Sequence, residues 1–157
     1  MAILAQFPDV TGESQVTNHE GWIDVASISE GISSPVSRDG GGLSGGKSDL
    51  QAITLGLSSG AHVGDIVKGG TGGKHFNKVI IEFLLQTGTQ LDVYRRLTLE
   101  EVYVSHWGFS AAGEMKGSDA IVLECTKAKW EYLQQSPDGG LETKTSAQYD
   151  MKTGMTS

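Results

Sequence analysis

Leu91-Asp-Val-Tyr-Arg-Arg-Leu-Thr-Leu-Glu-Glu-Val-Tyr-Val-Ser-His-Trp-Gly-Phe109 alternates apolar and polar side chains, but not in a single phase. Leu91, Val93, Leu97 and Leu99 hold odd positions; after Glu100-Glu101 the apolar set moves to Val102 and Val104. Period two marks a strand with one buried face, and a phase change within it marks an extra residue, a β-bulge. Long strands that switch their inward face let a sheet bend through a corner. The pattern therefore predicts a mainly β fold: a bulged antiparallel barrel, or two packed sheets, rather than a flat sheet.

The flanking segments repeat the pattern. In 119–133, Ile121, Leu123 and Cys125 share one parity, and Thr126, Ala128, Trp130 and Tyr132 share the other. In 22–32, Ile23 and Val25 are followed by Ile28 and Ile32. From Leu141 to Lys152 the alternation is unbroken, with Leu141, Thr143, Thr145, Ala147, Tyr149 and Met151 on one side. It predicts a half-buried strand with one wet face, after a turn at Pro137-Asp138-Gly139-Gly140. Segments 3–7 and 50–57 bring the set to about seven to eight strands.

Residues 76–85 are apolar on both parities. Such a run is either a central buried strand or a strand whose outer face meets a neighbouring subunit. Phe76, Ile80, Phe83 and Leu84 are thus candidates for a subunit interface. One short helix is expected, capped by Ser58-Ser59, carrying Val63, Ile66 and Val67 on one face and stopped at Gly69-Gly70. The glycine-rich stretch from Ser33 to Gly46 is longer than a hairpin needs, and connections of that length tend to be functional or mobile. The tail after Lys152 is expected to fray.

Composition narrows the function. The 157 residues fit a single domain, 1–157, large enough for a real core. A net charge of −7 argues against nucleic acid as the main partner. One cysteine, Cys125, rules out an intrachain disulfide. No apolar run reaches the ~18 residues of a membrane helix, and the first residues lack the basic region of a cleavable signal peptide. Glycine, at 22 residues against 3 prolines, suits tight turns and bulges.

Motifs for chemistry are few. Gly41-Gly-Leu-Ser-Gly-Gly-Lys-Ser48 fits the phosphate-loop pattern GxxxxGK(S/T), which needs a buried strand before it and a helix after it. Here a polar loop precedes it and a strand-like segment follows, so the reading is an interaction loop with a solvated lysine. Gly69-Gly-Thr-Gly-Gly-Lys74 is a similar run without the Ser/Thr. His19, His62, His75 and His106 show no metal-ligand spacing. Asp65, three residues from His62, reads as a solvated face. Cys125 shares the parity of Ile121 and Leu123 and reads as a small buried hydrophobe. Glu100, Glu101, Glu13, Glu20 and Asp24 show no spacing for a hydrolase pair. Trp22, Trp107 and Trp130 fit core or interface packing better than a sugar platform. No catalytic residue, cofactor or metal site is expected.

Several strings together resemble the haemolysin-coregulated protein (Hcp) family, the tube protein of type VI secretion systems. Val10-Thr-Gly-Glu-Ser14, Gly21-Trp-Ile-Asp-Val25 with Ser29-Glu-Gly-Ile-Ser33, Gly73-Lys-His-Phe76, Leu99-Glu-Glu-Val-Tyr-Val-Ser105 and Ala128-Lys-Trp-Glu-Tyr132 are similar to family segments, in family order, over roughly residues 3–152. Three features depart from the pattern: Ser58-Ser59-Gly60 where a Ser/Thr-Pro pair is usual, Ser29-Glu30 in place of a tryptophan, and an apparent insertion around Gly69–Gly73.

The resemblance implies a barrel with one flanking helix, a homohexameric ring, and rings stacked into a tube. It further implies assembly in the cytoplasm, then export without a cleavable signal, with sheath, spike protein and small effectors as partners. Stretch 34–46 stands where the family has its extended loop. Val36, Arg38, Asp39, Leu43 and Lys47 are therefore the candidate ring-stacking residues. Two other readings compete: a monomeric carbohydrate- or lipid-binding barrel using the tryptophans, and a nucleotide enzyme built on Gly41–Ser48.

Overall fold

A computed structural model describes residues 1–157; the side chain of Asp39 lies outside the described residues. In chain order the strands before the helix are β1 (Ala2–Gln6), β2 (Ile23–Ser29), β3 (Ile32–Ser33), β4 (Val36–Asp39), β5 (Gly42–Gly45), β6 (Asp49–Leu50) and β7 (Ile53–Ser58). Helix α1 (Val63–Gly72) leads to β8 (His75–Thr87), β9 (Gln90–Ser110), β10 (Ser118–Glu124), β11 (Lys127–Gln135), β12 (Leu141–Asp150) and β13 (Met155–Thr156).

One antiparallel sheet runs β10-β7-β2-β1-β8-β9-β11-β12-β13, and an added β10–β9 pairing closes its first six strands into a barrel. β9, 21 residues long, makes this closure. Its first part pairs with β11 (Leu99↔Ala128) and its last part with β10 (Trp107↔Ile121). The handover falls at Glu100-Glu101, where the phase change was expected. Glu101 adopts φ 52, rare for a residue with a Cβ. Its carboxylate accepts bonds from Thr126 Oγ1 at 2.9 Å and Lys152 Nζ at 2.7 Å. β8 changes face at the same level: Phe76 pairs with Val102 and Val79 with Leu99 without a break in register. The expected bulge in β2 also forms, as a register shift between Val25 and Ser27.

Other expectations are corrected. The phase change in 119–133 is not a bulge in one strand, because the chain leaves β10 after Glu124 and starts β11 at Lys127. A second bulge in β9, opposite Phe83/Leu84, takes Val93 off the face that carries Leu97. A register shift between Tyr132 and Leu133 splits the apparent single face of β12. Tyr149 reaches the main core, whereas residues 141–147 are exposed on both faces. The tail is not frayed: β13 pairs with Tyr149 and Asp150, and Ser157 exchanges backbone bonds of 2.9 and 2.8 Å with Gln148. The helix starts later than expected because Ser58 is still paired with Ser118, and His62 rather than serine occupies the N-cap. It also ends later: the glycines at 69–72 form its last turn, and Gly73, at φ 65, closes it in the left-handed region. Among the described residues its ten residues make up the one helix, and no helix there is long and apolar enough to cross a membrane.

The barrel interior is the main core, with Leu55, Val79, Ile81, Leu97, Leu99, Val102, Ile121 and Leu123 fully buried. α1 closes one end of it. Ile66 is buried, and Gly69 lies so close to the Phe76 ring that a Cβ would stand 3.0 Å from it. Phe76 in turn packs edge-on against Phe7, centroids 5.3 Å apart. A second, smaller cluster lies on the outer face of the sheet, where Leu4, Leu84, Val93 and Leu133 are covered by Ala2, Val16 and Trp22.

Two local features have measurable consequences. Gly12 sits against the Trp22 carbonyl, with no room for a Cβ, and Gly12 N–H and Ser14 N–H donate to Gly21 and Trp22 carbonyls at 2.7 and 3.0 Å. Gly12→Ala should destabilise the protein by about 1–3 kcal/mol, read as a lower thermal midpoint. His62 Nε2 lies 3.7 Å from Asp119 Oδ2; both side chains are buried and neither atom is hydrogen-bonded. Burial holds the His62 pKa below its ordinary 6.5, outweighing the raising effect of Asp119. The unfolded chain therefore binds this proton more readily, so stability should fall as pH drops below 6.5. Denaturant titrations of wild type and His62→Gln should show that component missing from the variant.

Candidate functional site

Stretch 34–46 is a β-hairpin standing clear of the barrel. β4 and β5 pair through Val36↔Gly45, Ser37↔Ser44, Arg38↔Leu43 and Asp39↔Gly42. Gly40 and Gly41, at φ 61 and 85, make the two-residue turn, a geometry that requires both residues in the left-handed region. Below the hairpin, β3 and β6 pair through Ile32↔Leu50 and Ser33↔Asp49. Tyr149 OH anchors this base, donating to the Ser48 carbonyl at 2.6 Å.

Register sorts the hairpin's side chains. Val36, Arg38 and Leu43 share one face, and Ser37 and Ser44 are hydrogen-bonded on the other. Val36 is 62% exposed and Leu43 70%. Arg38 is exposed and makes no ion pair among the described residues. A two-stranded ribbon is marginal in water alone, and an apolar strip on it favours contact with another surface. Asp39 is also among the residues singled out in the sequence, but its side chain lies outside the described residues. Lys47 is at the hairpin base, its methylenes near Gly154.

The phosphate-loop reading fails on this geometry. Gly42–Gly45 is a strand, and Lys47-Ser48 leads into β6 and β7 rather than a helix. No helix N-terminus is therefore presented to a phosphate.

Of the four candidates in 76–85, three are consumed by the single chain: Phe76, Phe83 and Leu84 are 2%, 5% and 0% exposed. The run is apolar on both parities because β8 serves both clusters, Val79, Ile81 and Phe83 facing the main core and Leu84 the outer one. Ile80 alone is half-exposed. It lines an outer-face cleft of about 540 Å³ with Pro8, Asp9, Glu20, Trp22 and Lys78.

The remaining candidates are dispersed. Trp22 covers the outer cluster with its edge on His19, centroids 4.6 Å apart. Trp130 packs on the main core and donates to Glu30 Oε2 at 3.2 Å, and Trp107 is exposed late in β9. The three do not form a shared platform. His62 meets Asp119 instead of Asp65, His75 lies against the Tyr103 ring, and His106 pairs across from Val122. Burial, aided by Glu124 and Glu30, pushes the Cys125 thiol up to about 11, away from a reactive thiolate. One polar group had no signal in the sequence: buried Glu82, 3.3 Å from His19 Nε2 and 3.4 Å from Arg96 Nε.

Comparisons agree with this architecture. Residues 5–132 match the family model described as type VI secretion system effector, Hcp. Among solved structures the chain is similar to one described as a type six secretion system protein, at 19% identity and TM-score 0.89 over 99% of both chains. It is also similar to Hcp1 from Salmonella typhimurium, at 22% identity and TM-score 0.78 over 99% of this chain and 98% of that one. A type VI secretion system effector from Yersinia pestis matches at 18% identity and TM-score 0.73, over 94% of this chain and 98% of that one. At such identities these likenesses establish the shared fold. No curated protein sequence matches. The family match spans most of the chain, on a barrel with the same fold as those structures: the chain belongs to the Hcp family of type VI secretion effectors.

Proposed function

We propose that this chain is a structural tube subunit of a type VI secretion system: a single domain, 1–157, that forms homohexameric rings which stack. The family match across residues 5–132 carries this reading. The exposed hairpin supports it, because an apolar strip held clear of the barrel suits a contact between copies better than catalysis. In this reading the chain has no catalytic role. The rings assemble in the cytoplasm and leave the cell through the type VI system. Sheath, spike protein and small effectors carried in the lumen are its partners.

The hairpin is the ring-stacking element, with Val36, Arg38, Asp39, Leu43 and Lys47 as its contact residues. At −7 per chain, six chains repel strongly, so stacking weakens at low salt, where screening is long-ranged. Light scattering should give six times 16.6 kDa for a ring; one or two times that mass would favour the monomeric binding barrel. Deleting Asp39–Gly45 should spare the ring and reduce stacking and secretion. Tubes that form and export normally after the deletion would make the hairpin a passive linker. Lys47→Ala should leave ring and fold intact, and the parent should show no saturable ATP or GTP binding in magnesium buffer.

A further inference from the structure

Asp119 is out of place in the barrel wall. It lies on the buried face of β10, in line with Ile121 and Leu123, and pairs across to Leu57 on one side and Phe109 on the other. Its side chain is 1% exposed, and both carboxylate oxygens lack a donor among the described residues. A buried carboxylate without a partner is among the costliest groups a fold can hold. Asp119 faces His62, whose Nε2 is 3.7 Å from Oδ2 and is likewise buried and unpartnered.

That spacing separates the ways of satisfying the pair. It exceeds a hydrogen bond, which spans about 2.7–3.2 Å. It falls short of the roughly 4.6 Å that a bridging water spans with two near-tetrahedral bonds of about 2.8 Å. Two ligands of a tetrahedral zinc-class ion, each bonded at about 2.0–2.1 Å, stand about 3.4 Å apart. A modest opening of the angle at the ion reaches the 3.7 Å observed. Imidazole with carboxylate also suits zinc better than calcium or magnesium, which take oxygen sets.

Both donors are held by the fold. Asp119 is fixed by pairing on two sides, and His62 is the N-cap of α1, its carbonyl accepting from Ile66 N–H at 3.1 Å. Among the described residues no three such donors already converge, so a third has to move, and Glu13 is placed to do so. Its Oε2 and the His62 ring flank Gly60, standing 2.6 and 3.5 Å from where a Cβ would be, so the glycine leaves the space between them open. Glu13 is exposed and pairs with Lys116 at 3.8 Å, a surface contact easily given up. The helix N-terminus contributes about half a positive charge, which two carboxylates outweigh.

We propose that His62 Nε2 and Asp119, with Glu13 as third ligand, form a binding site for a zinc-class divalent cation. The ion fastens the start of α1 to β10 and to the loop between β1 and β2. Spacing rules applied to the histidines miss it because its donors come from three separate elements.

Zinc titration of the untagged full chain, stripped with EDTA and returned to chelator-free buffer, tests the site by calorimetry. One equivalent should bind per chain and raise the thermal midpoint, whereas magnesium and calcium should do neither. His62→Gln and Asp119→Asn should each weaken zinc binding by more than about 100-fold, beyond the loss typical of an outer-sphere partner. Glu13→Gln, at an exposed position, should keep the parent fold and weaken binding about tenfold or more. Cys125→Ser should bind like the parent. Absence of saturable zinc binding by the folded parent would overturn the proposal. Binding unchanged in His62→Gln or Asp119→Asn, or lost in Cys125→Ser, would place the ion elsewhere, for instance at exposed His75 or His106, and overturn it equally. Should the two buried variants fail to fold, Glu13→Gln decides: weakened binding supports the site, and parent-like affinity rejects it.

Discussion

Closure of the barrel depends on one residue that bends against its own preference. Glu101 takes a left-handed backbone conformation in the middle of the longest strand. There β9 gives up β11 and takes β10 as its partner. The Lys152 ammonium and Thr126 hydroxyl bond the Glu101 carboxylate and hold its pKa below the ordinary carboxylate range. Lys152 is raised in return. These residues come from three places: the corner itself, the β10–β11 junction, and the turn after β12. The corner therefore ties the C-terminal ribbon to the barrel. Without a change of face here, Val102 and Val104 would point away from the core that Leu97 and Leu99 help to build.

A closed barrel has no free edges, so the edges that remain carry information. Six strands satisfy one another around the ring. Outside it stand the ribbon β11–β12 and the hairpin β4–β5. The last residues cover the β12 edge only at Gln148–Asp150, leaving the exposed part, from Leu141 onward, without a partner strand on that side. The unpaired backbone of this chain is thus concentrated away from the barrel wall.

The sequence made the corners legible wherever an inserted residue changed parity, as at Glu100-Glu101 and between Val25 and Ile28. It hid them where a bulge joined two apolar runs of equal parity. Val93 and Leu97 are both odd, yet the bulge between them sends one to the outer cluster and the other to the barrel interior. Leu141 and Tyr149 are separated in the same way by the shift near Lys144. Parity cannot reveal such an insertion, because both faces accept the same residue types. The two-sided apolar run in β8 misled for a related reason: its outer cover comes from Val16 and Trp22, contacts that no local pattern encodes. The hairpin was missed in the sequence. Asp39-Gly40-Gly41 is a turn signal, but the length of the stretch suggested an open loop. The cleft was not legible at all, since its walls come from the 7–11 turn, Trp22 and β8.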